Sequence, residues 1–120
     1  MAVAYRKAKL YKEAIAALEK ALKEEGPEAN PEIQFDVAEV LEELESIQDA
    51  MEAYLKVSYL YPDDKTWVVK ALLRVARIYE NKENWTELKK ILVKISTYDV
   101  PEAKYAQEKL TWLKEKGLSQ

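Results

Sequence analysis

Two residue types that carry much of enzyme chemistry are missing from this 120-residue chain, which contains no cysteine and no histidine. Without cysteine there is no disulfide, no thiolate metal site and no thiol nucleophile. Without histidine the chain lacks the commonest metal ligand and the commonest general base. Carboxylates or lysines could still carry a reaction, but the two absences predict a protein that is not an enzyme and holds no metal ion or cofactor.

Glycine and proline are also scarce, with 2 and 4 copies, while hydrophobic residues make up 48% of the chain and charged residues 34%. So many helix-forming residues with so few breakers predict an all-α domain with a real core. No apolar run approaches the roughly 20 residues that span a bilayer, and no signal peptide is recognisable. With a net charge of -3 and a pI near 5.2, binding to nucleic acid is not expected.

Three segments of the chain align without gaps on one pattern of small and large residues, starting at Ala2, Ala38 and Ala76. The five slots of the pattern are filled by Ala2, Tyr5, Ala14, Leu18 and Ala21 in the first segment, by Ala38, Leu41, Ala50, Tyr54 and Val57 in the second, and by Ala76, Tyr79, Leu88, Leu92 and Ile95 in the third. This constant spacing predicts a repeated helix–turn–helix unit, in which small residues let two helices approach closely.

Turn signals divide the chain into these units. Ser46 and Asn84 are placed to cap the second helix of units two and three, and Pro101 starts a last helix that Gly117 can end. We predict helices near 1–9, 11–25, 31–45, 47–60, 64–81, 84–97 and 101–116. They form a single domain of three helix pairs, with units at about 1–28, 31–64 and 65–100 and a closing helix at 101–116.

The slots resemble the tetratricopeptide repeat (TPR) over nearly the whole chain. The matching residues are Tyr5 and Tyr79 at the tyrosine slot, Ala14 and Ala50 at the alanine slot, Tyr54 at the aromatic of the second helix, and Pro62 at the close. Gln34 and Leu72 replace the family's tryptophan, and Leu88 replaces the small alanine, so the third pair should splay more. The resemblance implies a right-handed α-solenoid that binds a protein or peptide in its concave groove.

One subgroup of TPR proteins resembles the chain more closely. Units that exceed 34 residues and end in Tyr61-Pro62 are similar to those of bacterial cell-envelope TPR proteins, such as the Tol-Pal-associated periplasmic coordinator and the outer-membrane assembly lipoproteins. The last helix adds Ala103, Ala106 and Leu110, at a spacing often found in that group. This resemblance implies a bacterial protein of the periplasm or cell envelope.

The first unit looks incomplete, because Ala2 falls in the middle of what would be its first helix. Either the chain is the C-terminal part of a longer array or its first unit is degenerate, and we expect the former. An open N-terminal end would expose apolar residues such as Val3, Leu10, Ile15 and Leu22, which favours self-association or contact with another domain. A self-assembly module that uses this end is the alternative to a partner-binding scaffold.

A basic stripe is the most distinctive surface feature. Lys70, Arg74 and Arg77 fall at i, i+4 and i+7 of one predicted helix, and the equivalent slots of the preceding unit hold acids, Glu32, Asp36 and Glu39. These charges either pair with each other or bind an acidic peptide. The first alternative is the more economical, although exposed pairs contribute only about 0–1 kcal/mol each.

The groove predicted from the TPR resemblance has nine candidate contacts for a partner of unknown identity. They are Lys7, Phe35, Asp36, Glu39, Glu43, Lys70, Leu73, Arg74 and Arg77. Three aromatic residues outside the repeat slots are further candidate contacts, Trp67, Tyr105 and Trp112, because large aromatics are enriched at interaction hot spots. Burial in the core is the competing explanation for each aromatic residue.

Overall fold

The chain folds as a row of helices in two layers. A computed structural model describes residues 2–25 and 30–118, with side chains from Leu10 onward except at 21, 22 and 25. Its helices are α1 (Ala2–Glu25), α2 (Pro31–Glu43), α3 (Ile47–Leu60), α4 (Lys65–Asn81), α5 (Trp85–Ser96) and α6 (Glu102–Glu115), and no strand occurs among the described residues. The all-α prediction is confirmed, and from α2 to α6 the predicted helix ends agree with the observed ones to within two residues.

Each helix packs on the next one along the chain, and α2 also contacts α4. The molecule measures 44 × 38 × 19 Å along its principal axes. Its shortest dimension equals about two helix diameters. The pairs α2–α3 and α4–α5 therefore stack side by side as a TPR-like α-solenoid, with α1 covering one end and α6 the other.

The turns inside the two pairs have the same geometry, 38 residues apart. After α2, the N–H of Ser46 donates to the Leu41 carbonyl at 3.0 Å, and after α4 the N–H of Asn84 donates to the Tyr79 carbonyl at 2.9 Å. In both turns a glutamate, Glu45 or Glu83, adopts a positive φ of 63° or 56°. These are Schellman turns, which satisfy the last carbonyls of a helix and usually place glycine at the left-handed position.

The two predicted N-caps differ in what their side chains do. The side-chain oxygen of Asn84 accepts a hydrogen bond from the Glu87 N–H at 3.4 Å, as the sequence predicts. Ser46 stands at the equivalent position, but its side chain makes no capping bond. The third turn, after α6, uses a true glycine, because Gly117 has a φ of 70°.

The predicted break between residues 9 and 11 is wrong, because α1 is one continuous helix of 24 residues. The reason lies in the slot that holds Ser46 and Asn84 in the later units, which is filled by Leu10 in the first. Leucine cannot cap a helix, and no glycine, proline or asparagine interrupts the stretch from Ala2 to Glu25. The first predicted helix pair is therefore a single helix.

The repeat slots of the two complete pairs form the core, as the pattern predicts. The buried slot residues are Ala38, Ala50, Tyr54 and Val57 in the first pair and Ala76, Leu88, Leu92 and Ile95 in the second. Where the family has tryptophan, Leu72 is fully buried. Gln34 is buried at the equivalent slot, and its Nε2 donates to the Ala53 carbonyl at 3.1 Å, so its amide is not left unpaired.

Candidate functional site

The facing sides of α2 and α4 carry two interhelical ion pairs, and we call this surface the α2–α4 face. Nη2 of Arg74 lies 3.1 Å from Oε2 of Glu39, and Nη2 of Arg77 lies 2.6 Å from Oε2 of Glu42. These pairs show that the basic stripe is at least partly matched by acids of the same chain. The alternative of internal pairing therefore holds for Arg74 and Arg77.

The register of these pairs corrects the predicted one, in which Arg74 faces Asp36 and Arg77 faces Glu39. Each observed pair joins residues 35 apart in sequence, whereas equivalent repeat positions are 38 apart. Neighbouring first helices are thus staggered by three residues, slightly less than one helical turn. Residues at equivalent positions of the repeat therefore do not face each other in the structure.

Lys70 makes a different contact from the one predicted with Glu32. Its Nζ lies 5.1 Å from the centroid of the Phe35 ring and 4.7 Å from that of Trp67. Arg74 also lies over the Phe35 ring, with its guanidinium carbon 5.3 Å from the centroid. Cations over aromatic faces within about 6 Å are attracted by the ring quadrupole. The basic stripe therefore partly covers the aromatic rings of Phe35 and Trp67.

Phe35 is therefore not accessible in the groove, and the prediction that it contacts a partner there is corrected. Its side chain is only 1% exposed, and its ring packs against Tyr54 and Trp67 with centroids 5.3 and 5.5 Å away. Trp67 is itself half-buried in this cluster. For both rings, burial is the better description of their role.

Glu42 connects the core to the surface. Its Oε1 accepts a hydrogen bond of 2.7 Å from the hydroxyl of Tyr54, and its Oε2 accepts one from Arg77. Burial of the phenol and its bond to Glu42 together raise the pKa of Tyr54 far above its ordinary value. At any physiological pH the hydroxyl therefore keeps its proton and donates to Glu42.

The equivalent glutamate of the next unit repeats this arrangement. Glu80 of α4 pairs with Lys109 of α6, as Glu42 of α2 pairs with Arg77 of α4. Nζ of Lys109 also lies 4.4 Å from the centroid of the Trp112 ring. The sequence analysis did not predict that Glu42 and Glu80 form ion pairs, although the two residues occupy the same slot of the repeat.

The remaining predicted groove residues are accessible to different degrees. Asp36 and Leu73 are half-buried, and Glu43 is exposed. Partial burial, and then the nearby charges of Glu32 and Glu39, raise the pKa of Asp36, while Lys70 lowers it. Lys7 lies on α1, but its side chain is outside the described ones, so its predicted role stays a prediction.

An open cleft of about 260 Å³ lies on the α2–α4 face. It is lined by the two ion pairs and one further carboxylate, namely Glu39, Glu42, Glu43, Arg74 and Arg77. Four of these five residues were candidates from the sequence. Glu43 has no ion-pair partner among the described residues, so the cleft carries one carboxylate more than it has guanidinium groups.

The aromatic candidates of α6 are the most exposed. Tyr105 lies open to solvent, and Trp112 is partly covered by Trp85, whose ring centroid is 6.3 Å away. At the other end of the molecule, Leu10 of α1 is 63% exposed. Ile15 packs against the core, while the side chains of Val3 and Leu22 are outside the described ones.

The described part of the chain contains no candidate metal site and no candidate membrane-spanning helix. Between residues 2–25 and 30–118, His, Cys, Asp and Glu side chains form no group of three or more that could hold a metal ion. None of the helices found there is long and apolar enough to cross a membrane.

Comparison with known proteins agrees with the fold. The family model of the tetratricopeptide repeat matches residues 1–25. Neither the curated proteins nor the solved structures contain a match to the chain. The matched segment corresponds to α1, which is a single helix, whereas the paired helices characteristic of the repeat are α2 to α5.

Proposed function

We propose that this chain is a non-catalytic scaffold that binds a protein or peptide partner on the α2–α4 face. The observation that carries the proposal is the open cleft lined by Glu39, Glu42, Glu43, Arg74 and Arg77. TPR repeats generally mediate protein–protein interaction, and this cleft lies between the first helices of two successive units.

The ion pairs suit a surface that exchanges internal contacts for contacts with a partner. The Arg77 side chain is 51% exposed although it is paired with Glu42, so its guanidinium has donors left for a second acceptor. Exposed pairs contribute only about 0–1 kcal/mol, which a partner can offset easily. Because the helices beneath are packed, the surface is presented without a large ordering cost.

A bacterial cell-envelope origin is part of this proposal. It is supported by the Tyr61-Pro62 unit ending and by the Ala103, Ala106 and Leu110 spacing in the closing helix. Of these residues, Tyr61 and Ala106 are buried, and Leu110 packs partly against the core. The motifs therefore have structural roles here, whatever compartment the protein occupies.

A charge-swap cycle tests the binding role separately from the internal pairing. Glu39→Arg and Arg74→Glu are made singly and together, since the double variant can rebuild the pair with its charges exchanged. Unfolding free energies are expected to fall by about 0.2–1 kcal/mol in each single variant and to recover in part in the double one, which restores the ion pair but not the contact of Arg74 with the Phe35 ring.

Partner capture is then compared between wild type and the double variant, using quantitative mass spectrometry on extracts of the source cells. We expect proteins captured by wild type to be depleted at least about tenfold with the double variant, a loss of about 1.4 kcal/mol. Equal capture by the two stably folded proteins would show that this pair plays no part in binding, and would overturn the assignment of this face.

A further inference from the structure

The two helices of the α2–α4 face carry opposite charges. Helix α2 contains five acidic residues and no basic one, whereas α4 contains four basic residues and one acidic residue. Four of the acids of α2 follow one another at i, i+4, i+7 and i+11, so they lie along one side of the helix, which we call the α2 stripe. The stripe consists of Glu32, Asp36, Glu39 and Glu43. It is about 16 Å long, because a helix rises about 1.5 Å per residue.

The basic residues of α4 do not neutralise this stripe. Within the described part of the chain, Glu39 alone among the four has an ion-pair partner, Arg74. Arg77 binds Glu42, which lies beside the stripe. The stripe residues without an ion pair among the described residues are Glu32, Asp36 and Glu43. Both guanidinium groups of the face are thus paired, while most of the stripe keeps its negative charge.

The carboxyl group of Asp36 shows the effect of this uncompensated charge. Partial burial, followed by repulsion from Glu32 and Glu39, raises the pKa of Asp36, and the attraction of Lys70 offsets only part of that rise. A second cation beside Asp36 would relieve the repulsion and bring its pKa back towards the ordinary value. This part of the face therefore favours a positively charged group from outside the chain.

The aromatic rings beside the stripe already attract cations. The ammonium group of Lys70 lies over the rings of Phe35 and Trp67, and the guanidinium group of Arg74 lies over that of Phe35. Because Lys70 also acts on the pKa of Asp36, the rings and the stripe border the same groove. This observation is independent of the acids, since the quadrupole of a ring attracts cations without a carboxylate. Two different kinds of group on this face thus favour positive charge.

From these observations we infer that the partner of the α2–α4 face presents a basic segment, whose lysine or arginine side chains pair with Glu32, Asp36 and Glu43. Charge complementarity selects this occupant over an acidic one, which would meet free carboxylates and guanidinium groups that are already paired. The remaining donors of Arg77 can bind main-chain carbonyls of the same segment. This inference rests on the proposed function, because it names the chemistry of the partner at that face.

The probe is a blocked 12-residue peptide in which lysine alternates with serine, and a second peptide carries glutamate in place of every lysine. Alternate residues of an extended chain lie about 7 Å apart, close to the rise of about 6 Å between Glu32 and Asp36. Calorimetry gives the Kd of each peptide. The indole N–H signals in NMR spectra locate binding, since Trp67 borders the groove whereas Trp85 and Trp112 lie on α5 and α6.

Two triple variants separate the stripe from the general acidity of the chain. The first neutralises the unpaired acids of the stripe, with Glu32→Gln, Asp36→Asn and Glu43→Gln. The second neutralises three exposed acids on a different surface, between α1 and α3, with Glu19→Gln, Asp49→Asn and Glu52→Gln. Each set removes two glutamates and one aspartate, and each includes one acid from the first turn of a helix. Circular dichroism and Tm verify that both variants fold.

The lysine peptide should bind wild type and shift the Trp67 signal, while the glutamate peptide should not bind. The stripe variant should bind the lysine peptide about tenfold more weakly than wild type does, and the control variant should lose less than about twofold. Added salt should weaken the binding, because the contacts are between exposed charges.

Three results would overturn the inference. Equal losses in the two triple variants would mean that the peptide is attracted by acidic protein in general. A lysine peptide that leaves the Trp67 signal unchanged would bind elsewhere. Binding of the glutamate peptide alone at Trp67 would reverse the sign of the partner but leave the proposed function standing. That function is decided separately by the capture experiment with the Glu39 and Arg74 variants, whose outcome does not depend on the charge of the partner.

Discussion

The pairs α2–α3 and α4–α5 share one backbone plan but fill it with different side chains. Their Schellman turns coincide, with Glu45 and Glu83 at the same left-handed position. The first pair buries Ala50 together with the aromatic ring of Tyr54, whereas the second buries two leucines at the same slots. Repeat geometry thus tolerates exchanges of core shape, provided that the slots stay apolar and filled.

The polar chemistry at the edge of the two pairs also differs. In the first pair Glu42 joins the Tyr54 hydroxyl to Arg77, so a core residue is tied to the α2–α4 face. In the second pair the equivalent Glu80 pairs with Lys109, and the slot of Tyr54 holds Leu92, which has no hydroxyl to offer. The difference suggests that only the first pair couples its packing to its charged surface.

The largest test exchanges the residues that differ most between the pairs. Leu88→Ala should lower the free energy of unfolding by about 2–5 kcal/mol, because it leaves a cavity in a fully packed site. Ala50→Leu should lower it by about 1–3 kcal/mol, because the first pair has no room for the extra atoms. Urea unfolding followed by circular dichroism measures both. An Ala50→Leu variant as stable as wild type would show that the pairs are equally spaced.

The next test concerns the hydroxyl that only the first pair has. Tyr54→Phe should destabilise the fold by about 1.5–3 kcal/mol, the range for hydrogen bonds to charged groups. Combined with Arg77→Ala in a double-mutant cycle, it should show a coupling energy above zero, because both side chains bind Glu42. Additive effects of the two substitutions, measured by the same unfolding method, would mean that core and surface are not coupled there.

The smallest test examines what the pairs have in common. Glu45→Gly and Glu83→Gly should each stabilise the protein by about 1 kcal/mol, because glycine adopts a positive φ without the strain of a side chain. Glu43→Gly is the matched control and should cost about 1 kcal/mol, since this residue lies inside the last turn of α2. If thermal unfolding shows unequal gains in stability at the two turns, the backbone strain differs between them although their geometry is the same.

Much of the fold could be predicted from the sequence because its signals are local. The slots at Ala50, Leu88, Leu92 and their equivalents mark buried positions, and the capping asparagine marks the start of α5. The same local argument failed in α1, where a repeat-like pattern outweighed the lack of any helix breaker around Leu10. The pattern describes which residues face a neighbour and does not by itself end a helix.

The candidate site was only partly predictable. The charged residues were found in the sequence, since i, i+4 and i+7 spacing places them on one helix face. Their partners were not, because the three-residue stagger between α2 and α4 depends on how large side chains such as Phe35 pack between the helices.

The sequence by itself therefore determined that this protein is all-helical, where five of its six helices lie, and which repeat-slot residues are buried in its core. These properties follow from apolar periodicity and from capping chemistry within a few residues of each helix end. Only the tertiary structure decided that Arg74 pairs with Glu39 and Arg77 with Glu42. Those features arise from the packing of helices about 35 residues apart, and no local pattern encodes the offset between them.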